Sequence, residues 1–399
     1  MKIIIASDSF KGCFSTFEVA DTIEKGIRKV NKEATIIKIP VADGGEGTVD
    51  ALVLGTGGRY EDVEVVGPLG TRTKAKIGIL KDDVAVIEMA SASGLPLLKR
   101  SELNPLITTT FGTGQLITAA LDLGCSKILI GLGGSATNDG GVGMAQALGV
   151  SFKNRLGEEI GFGGSELIHI DDIDISNLDR RIYKTEIIIM SDVTNPLCGE
   201  NGASYIYGPQ KGATDETIKL LDNNLNHYAS VLKDKLGKDV KNMEGAGAAG
   251  GLGAGILAFC NGIMSPGIDK VLEVSGLNEH LNDADLVITG EGRIDYQTLY
   301  GKVAVGVGKR SLSKNVPVVA IVGSIGEGAS EVYSQGINAI FDIVDKPMSL
   351  TDAMENVSFL LEQAAENVMR LINIGCLSGH TRRPVNKDKE TFSYENSGS

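Results

Sequence analysis

The fold is indicated first by residues 2–18, which read KIIIASDSFKGCFSTFE. The isoleucines at 3–5 form a β-branched run that is typical of a buried strand. After a polar loop, Ser15 and Glu18 have the spacing of a capping box, in which each side chain accepts a hydrogen bond from the other residue's backbone at a helix start. The segment therefore predicts a strand, a loop and a helix, the unit from which parallel α/β sheets are built.

The same pattern of an apolar run followed by glycine, serine or aspartate recurs along the chain. Further strands are predicted at residues 35–40, 127–132, 186–190, 286–289 and 316–322. In a parallel sheet, the loops that follow the strands gather along one edge, and ligands bind in the crevice there. We therefore expect one polar and acidic cleft that is lined largely by backbone groups.

Residues 61–90 have a different character, because strand-like runs follow one another there without an intervening helix. The runs 63–66, 74–80 and 84–89 are separated by turn residues. Successive strands joined by short turns are typical of antiparallel pairing. This part of the chain therefore predicts a β-meander rather than another strand, helix and strand unit.

The length of the chain predicts more than one domain. Its 399 residues exceed the roughly 250–300 residues at which a single core stops growing. We expect an α/β fold with a doubly wound, Rossmann-like parallel-sheet domain built from both chain ends, residues 1–57 and 285–372. A second α/β domain, residues 58–284, is inserted between them. Residues 373–399 lack apolar periodicity and are expected to form a disordered tail that does not belong to the fold.

Composition argues against several classes of partner. The formal net charge is −13, and aromatic residues make up 5% of the chain with no tryptophan, so nucleic acid is not an expected partner. An anionic substrate would need local cations or a metal ion. Five cysteines without metal-ligand spacing predict reduced thiols and a cytoplasmic location. No run reaches the roughly 20 apolar residues of a membrane span, and no motif indicates the oligomeric state.

A glycine-rich loop at residues 133–141 follows a predicted strand and precedes a helix that begins near Val142. Backbone N–H groups and a helix N-terminus can bind an anion in such a loop, for example the phosphates of a nucleotide. The alternative is a tight connection in which Asn138 or Asp139 only caps the helix. The chain contains no Walker motif, so any phosphate site here does not use one.

Charged residues follow several of the predicted strands. Lys11 could bind a carboxylate or phosphate, or it could simply be solvated. The acids in these loops outnumber the helix ends that they could cap, and Mg²⁺ prefers one or two carboxylates together with substrate phosphates. The four histidines lie outside all of these loops, which argues against a histidine base or a phosphohistidine intermediate. The acids are Asp43, Glu46, Asp192, Glu291 and Asp295.

Residues 245–250, GAGAAG, match the dinucleotide pattern G-x-G-x-x-G. That fingerprint requires a strand immediately before it, whereas residues 238–244 are polar. An NAD site is therefore a weak interpretation. Two others are open, a Gly/Ala loop that leads into the apolar helix at 252–259 and a loop that lines the cleft.

Six of these motifs, in this order, resemble the signatures of bacterial glycerate kinases, the glycerate 2-kinases of glyoxylate and sugar-acid breakdown. The resemblance covers about residues 1–372. It implies ATP-dependent phosphorylation of D-glycerate with Mg²⁺, and a two-domain α/β fold with the active site between the domains. It also favours 2-phosphoglycerate as the product. The motifs are residues 8–12, 40–48, 133–141, 191–197, 247–251 and 289–295.

We predict specific roles for the loop residues in such a kinase. Asp192 orients or deprotonates the accepting hydroxyl, and Lys11 is the catalytic cation. The substrate is bound by Asp8, Ser9, Lys11 and Arg293. The nucleotide phosphates are bound by Gly44, Gly45, Thr48, Gly133, Gly134, Ser135 and Asn138. The metal ion is bound by Asp43, Glu46, Glu291 and Asp295. The competing hypotheses are a dehydrogenase and a sugar-acid binding protein without catalysis.

Overall fold

The computed structural model describes residues 1–42, 44–300 and 302–380, without the side chains of Tyr300 and residues 375–380. The strands are β1 Lys2–Ile5, β2 Thr35–Lys38, β3 Arg59–Val66, β4 Arg72–Ile79, β5 Val84–Glu88, β6 Lys127–Gly131, β7 Ser151–Lys153, β8 Asp172–Asp174, β9 Glu186–Met190, β10 Ile263–Ser265, β11 Leu286–Thr289, β12 Val318–Val322 and β13 Ala339–Asp342. The α-helices are α1 Thr16–Val30, α2 Thr48–Thr56, α3 Ala90–Ser93, α4 Phe111–Asp122, α5 Val142–Ala147, α6 Ala203–Tyr207, α7 Asp215–Leu236, α8 Ala248–Phe259, α9 Gly267–Val274, α10 Leu277–His280, α11 Val303–Ser313, α12 Leu350–Glu355 and α13 Val357–His380.

The first sheet is wholly parallel and has the strand order β13-β12-β11-β1-β2. Counted within this sheet, the order is 2-1-3-4-5, which is the flavodoxin-like form of the doubly wound fold. The order reverses between β1 and β11, and ligands of such sheets bind at that switch point, beyond the carboxyl ends of the strands. The predicted parallel α/β architecture is confirmed, and it directs attention to the loops after these two strands.

The second sheet has the order β10-β9-β6-β5-β4-β3. Strands β3, β4 and β5 pair antiparallel, which confirms the predicted meander. From β5 onward the pairing to β6, β9 and β10 is parallel. The carboxyl ends of β6 and β9 therefore lie at the same edge. A separate antiparallel pair is formed by β7 and β8.

The strands of the first sheet come from both chain ends, and those of the second come from residues 59–265. This distribution follows the proposed domain division, whose boundaries at 57/58 and 284/285 remain a prediction. The last helix continues to His380, so residues 373–380 of the expected tail are helical in backbone. The remainder of that segment, residues 381–399, lies outside the described residues.

Helices α2 and α9 lie between the two sheets. Leu52 of α2 and Val271 of α9 are fully buried in one apolar cluster, which also contains Ile4 of the first sheet and Leu129 of the second. The two sheets therefore share a core. Burial of one large aliphatic side chain contributes roughly 1.5–3 kcal/mol, so this shared layer stabilises the packing of the two sheets against each other.

The glycine-rich segment at 245–250 allows close packing of α8 against the loop after β6. Residues 245–251 are buried, and no strand precedes them. A Cβ at Gly250 would overlap the carbonyl oxygen of Thr137, because α8 packs directly against the loop after β6. The dinucleotide interpretation is therefore excluded by the close approach of two backbones, which leaves no space for a ligand.

The outer face of the first sheet is covered by α1 and α13. The predicted capping box at the start of α1 is present, with Ser15 and Glu18 bonded reciprocally. On the buried face of α1, a Cβ at Gly26 would overlap the carbonyl oxygen of Glu362 and lie 2.7 Å from the Cβ of Ala365. The helices thus approach as closely as they do because residue 26 has no side chain.

Gly26→Ala should lower the free energy of unfolding by about 1–3 kcal/mol, the range for overpacking. A helix interior otherwise gains about 1 kcal/mol from this change, so the loss would come from the helix contact. Urea denaturation measures it. Gly161→Ala is the control, since its Cβ would meet only the flexible Glu166 side chain at 3.4 Å. A Gly26→Ala protein as stable as the wild type would contradict this account of the packing.

Candidate active site

The loops after β1 and β11 lie side by side at the switch point of the first sheet. The Asp8 N–H donates to the Gly290 carbonyl at 2.9 Å. A Cβ at Gly292 would lie 3.9 Å from the backbone nitrogen of Lys11, so the two loops remain in contact beyond the strand ends. The predicted substrate residues of the first loop are thereby brought beside the acidic residues of the second.

The loop after β2 contacts the carboxyl edge of the second sheet through glycine. A Cβ at Gly131, where β6 ends, would overlap the carbonyl oxygen of Gly44. One at Gly133 would lie 2.8 Å from the Cα of Gly45. Because main chain meets main chain at these points, no larger residue fits. Gly44 and Gly45 from one predicted motif thus meet Gly133 from another, and the edges of the two sheets face each other.

Two carboxylates from the second sheet cap the helices between the sheets. Glu88, at the end of β5, accepts a hydrogen bond from Val49 N of α2 at 2.8 Å. Asp192, just beyond β9, accepts one from Gly267 N of α9 at 3.1 Å. Negative charge is favourable at a helix N-terminus. Asp192 is exposed, so it caps α9 and still faces solvent.

A cavity of about 680 Å³ opens between the loop after β1 and the loop after β2. Its lining combines apolar side chains with polar and charged residues from these loops and from the second sheet, among them Asp8, Ser9, Lys11, Glu46, Lys76 and Glu88. Burial raises the pKa of the Glu88 carboxyl above its ordinary value. The structure therefore brings the predicted substrate residues Asp8, Ser9 and Lys11 together with the predicted metal residue Glu46.

The loop at 133–141 is divided into an exposed tip and a buried remainder. Gly133 and Gly134 are exposed, and Gly134 has a φ of +75°, in the left-handed region that favours glycine. Among the described residues, none accepts a hydrogen bond from the N–H groups of these two glycines. They are therefore available to a ligand at the sheet edge.

The buried part of this loop is fixed by polar side chains. Asp139 is almost fully buried and accepts hydrogen bonds from Thr110, Gly141 and Gly143. Burial raises the pKa of Asp139. On the other side, the Lys211 ammonium donates to the Thr137 carbonyl at 2.7 Å.

Three residues predicted to bind nucleotide are buried, namely Thr48, Ser135 and Asn138. The Asn138 amide donates to the Ser204 hydroxyl at 3.0 Å, and the Thr48 hydroxyl donates to the Gly45 carbonyl at 2.7 Å. Asn138 is enclosed between the loop and α6, so it does not reach the cleft as predicted. The Thr48 hydroxyl stabilises the turn that contains it. Asn138 supports the loop that carries the exposed glycines, and Thr48 supports the loop that contains Gly44 and Gly45.

The predicted metal ligands do not form one cluster. Asp43 lies outside the described residues, and Glu46 is exposed at the cavity. The Asp295 carboxylate is 3.1 Å from the Arg293 guanidinium and also accepts from Gln297 N. Within residues 1–42, 44–300 and 302–380, no three histidine, cysteine, aspartate or glutamate side chains are grouped to hold a metal ion.

Glu291 lies at the switch point and is only 5% exposed. Its Oε2 atom is 3.5 Å from the Lys302 ammonium. Burial raises the pKa of Glu291 to about 7, and Lys302 opposes that rise. Glu291 and Asp295 each face a cation, Lys302 and Arg293 respectively, and metal binding by these two acids stays a prediction.

Two residues of this region were missed in the sequence, Glu88 and Lys302. Glu88 ends a predicted strand and could have been selected by the same rule that selected the other loop acids. Lys302 immediately precedes α11, and a cation at a helix N-terminus is unfavourable unless something compensates it. A lysine at a helix start was therefore the feature that could have drawn attention to Lys302.

No helix in the part of the chain that the structure describes is long and apolar enough to cross a membrane.

The sequence model of the glycerate kinase family matches residues 3–373. A glycerate kinase of Halalkalibacterium halodurans is 50% identical over 367 residues, covering 92% of this chain and 97% of that protein. A glycerate 2-kinase of Escherichia coli is 48% identical over 376 residues, covering 94% of this chain and 99% of that protein.

Among solved structures, the fold is similar to the crystal structure of a putative glycerate kinase 2 from Salmonella typhimurium. The TM-score is 0.86 at 47% sequence identity, with 94% of this chain and 99% of that chain covered. The family model and these relatives extend over nearly the whole length of the described chain. The resemblance found in the six sequence motifs is thereby confirmed, and the chain belongs to the glycerate kinase family and is a kinase.

Proposed function

We propose that the protein transfers the γ-phosphoryl group of ATP directly to D-glycerate and forms 2-phosphoglycerate. The observation that carries this proposal is the meeting of two sheet edges at the loop after β2. On one side of that loop lie the exposed N–H groups of Gly133 and Gly134. On the other side the cavity contains Lys11 and the loop after β1. Phosphoryl transfer depends chiefly on positioning and on charge neutralisation, and this arrangement supplies both.

The nucleotide phosphates are proposed to lie against Gly133 and Gly134. Two N–H groups that donate to no described residue, in an exposed glycine turn, suit phosphate oxygens. Gly44 and Gly45 pack against this turn and fix its distance from the cavity. The Thr48 and Asn138 side chains keep the shape of these loops from inside, and the backbone N–H of Ser135 is proposed to reach the phosphates beside that of Gly134.

The acceptor substrate is proposed to lie at the switch point, with Lys11 neutralising its carboxylate or the transferring phosphoryl group. Asp8 and Ser9 complete the loop around it, and Arg293 is directed by its ion pair with Asp295. Asp192 is proposed to accept the hydroxyl proton. It is an exposed carboxylate at the facing sheet edge, close to Gly44 through Gly267 (the added Cβ of Gly44 would be 3.3 Å from its Cα).

Magnesium fits this region only as an ion held mainly by the nucleotide phosphates. Mg²⁺ commonly uses one or two carboxylates together with phosphates and waters, and Glu46 is the described carboxylate that is exposed at the cavity. Asp43, three residues earlier, is proposed to join it. The ion would neutralise charge on the transferring phosphoryl group.

The two alternative functions have less support. A dehydrogenase would need a strand before Gly245, and that segment is instead buried against the loop after β6. A binding protein without catalysis would not need exposed phosphate-type N–H groups beside a second ligand cavity. The free thiols are consistent with the proposed cytoplasmic location; those described are Cys13, Cys125, Cys198 and Cys260.

Incubation of the protein with ATP, Mg²⁺ and D-glycerate should release ADP only when glycerate is present. Phosphorus NMR of the product should show 2-phosphoglycerate. Glycerate-independent ADP release would contradict the assigned acceptor, and 3-phosphoglycerate would contradict the assigned hydroxyl while leaving the kinase activity intact.

Asp192→Asn should lower kcat by about 10²-fold or more, the lower end for acid–base assistance. The asparagine oxygen can still accept from Gly267 N, so the free energy of unfolding should change by less than about 1 kcal/mol, the typical value of a cap. Asp192→Ala should lose both the activity and the cap. A folded Asp192→Asn enzyme with near-normal turnover would remove Asp192 from the chemistry.

Lys11→Met should reduce kcat/KM about ten- to a hundredfold, because a charge-assisted contact is worth roughly 1.5–3 kcal/mol. A rise in KM alone would indicate ground-state binding, and a fall in kcat would indicate stabilisation of the transition state. Lys81→Met, at an exposed turn between β4 and β5, is the matched control. Equal kinetics in the two variants would remove Lys11 from substrate binding and from the chemistry.

A further inference from the structure

Lys302 occupies an electrostatically unfavourable position. It is the N-cap residue of α11, an eleven-residue helix, and it makes no side-chain cap hydrogen bond. The N-terminus of a helix carries partial positive charge, so an ammonium there repels the helix end. About one third of the Lys302 side chain is exposed (34%). The Lys302 ammonium and the positive end of α11 are thus adjacent at the carboxyl edge of the first sheet, next to the switch point.

Glu291 compensates this charge only in part. Its Oε2 atom is 3.5 Å from the Lys302 ammonium, which is longer than a direct charge-assisted hydrogen bond of about 2.7–2.9 Å. The other oxygen, Oε1, is buried and accepts no hydrogen bond from any described residue. A buried acceptor without a donor costs about 1–3 kcal/mol. The Thr298 hydroxyl also interacts with the Glu291 carboxyl and lowers its pKa, but Oε1 keeps an unused acceptor position and the charge of Lys302 is balanced only in part.

A ligand that satisfies both needs must carry a hydroxyl donor and an anionic group a few bonds apart in one small molecule. Nucleotide phosphates at neutral pH are acceptors only, and they would leave Oε1 without a donor. A short hydroxy acid supplies the donor and the carboxylate together. The loop after β1, which carries Asp8 and Lys11, lies beside the loop that carries Glu291, through the contacts of Gly290 and Gly292.

We propose that Glu291, Lys302 and the N-terminus of α11 form the subsite that selects the hydroxy acid. Lys302 and the helix N–H groups bind the carboxylate, and Glu291 Oε1 accepts the hydrogen of the hydroxyl that is not phosphorylated. This inference rests on the proposed function for the identity of the acid. It makes Glu291 a specificity residue, because a site built for a hydroxyl strongly rejects an analogue that lacks it.

Binding is measured by calorimetry with three separate ligands, D-glycerate, D-lactate and a non-hydrolysable ATP analogue. D-lactate lacks the terminal hydroxyl of D-glycerate. The wild type should bind D-glycerate at least about tenfold more tightly than D-lactate. Lys302→Met should weaken D-glycerate binding about ten- to a hundredfold and leave binding of the ATP analogue unchanged. Lys302→Arg should restore part of the affinity.

Glu291→Ala should reduce the preference for D-glycerate over D-lactate to within a few fold. Lys309→Met, on an exposed position of α11, is the control and should bind all three ligands like the wild type. Thermal unfolding of each variant checks that the fold persists, and Glu291→Gln provides a second test if Glu291→Ala unfolds. The glutamine oxygen is still an acceptor, so this variant should keep most of the preference.

The outcomes separate this inference from the proposed function. Unchanged D-glycerate affinity in folded Lys302→Met, with unchanged preference in Glu291→Ala, would overturn the subsite even if the enzyme phosphorylates glycerate. Loss of ATP-analogue binding in Lys302→Met would also overturn it, because the anion would then be a phosphate. Selective D-glycerate binding that depends on both residues would support the subsite even if no glycerate-dependent ADP release occurs.

Discussion

The close contact of two glycine loops is the constraint on which the rest of the site depends. Gly131 and Gly133 at the end of β6 lie against Gly44 and Gly45 after β2, and main chain meets main chain at both points. This contact turns the carboxyl edges of two separate sheets toward each other. Two parallel sheets, each with its ligand-binding edge, are thereby combined into one cleft in which a donor and an acceptor substrate can meet.

Electrostatic features at this junction follow from the same geometry. The helices between the sheets begin at the junction, and carboxylates of the second sheet, Glu88 and Asp192, cap them. These caps link the two sheets. Asp192 both caps α9 and is the proposed proton acceptor. On the first sheet, Lys302 is instead left with a helix end of like charge. The cleft therefore combines carboxylate helix caps at the edge of the second sheet with only partly compensated positive charge at Lys302 on the first.

Much of the fold could be predicted because its signals are local. The isoleucine strand, the capping box at Ser15, the meander and most strand positions depend on residues close in sequence. The division of the loop at 133–141 into an exposed tip and a buried remainder could not be predicted, because the burial depends on residues that are distant in sequence. Asn138 is buried since Ser204 binds it, and Gly250 packs on the neighbouring Thr137. The ion pairs of Glu291 with Lys302 and of Asp295 with Arg293 could not be foreseen as a pattern of contacts for a similar reason, since they become evident only in three dimensions.

The central claim is that the two sheet edges form a single phosphoryl-transfer site. A crystal structure with D-glycerate and a non-hydrolysable ATP analogue tests it most directly. The account predicts terminal phosphate oxygens within hydrogen-bond distance of Gly133 and Gly134 N–H, and glycerate between the loops after β1 and β11. The accepting hydroxyl should lie about 3–3.5 Å from the terminal phosphorus, as a near-attack geometry requires. Both ligands bound well, but at sites too far apart for direct transfer, would contradict the claim.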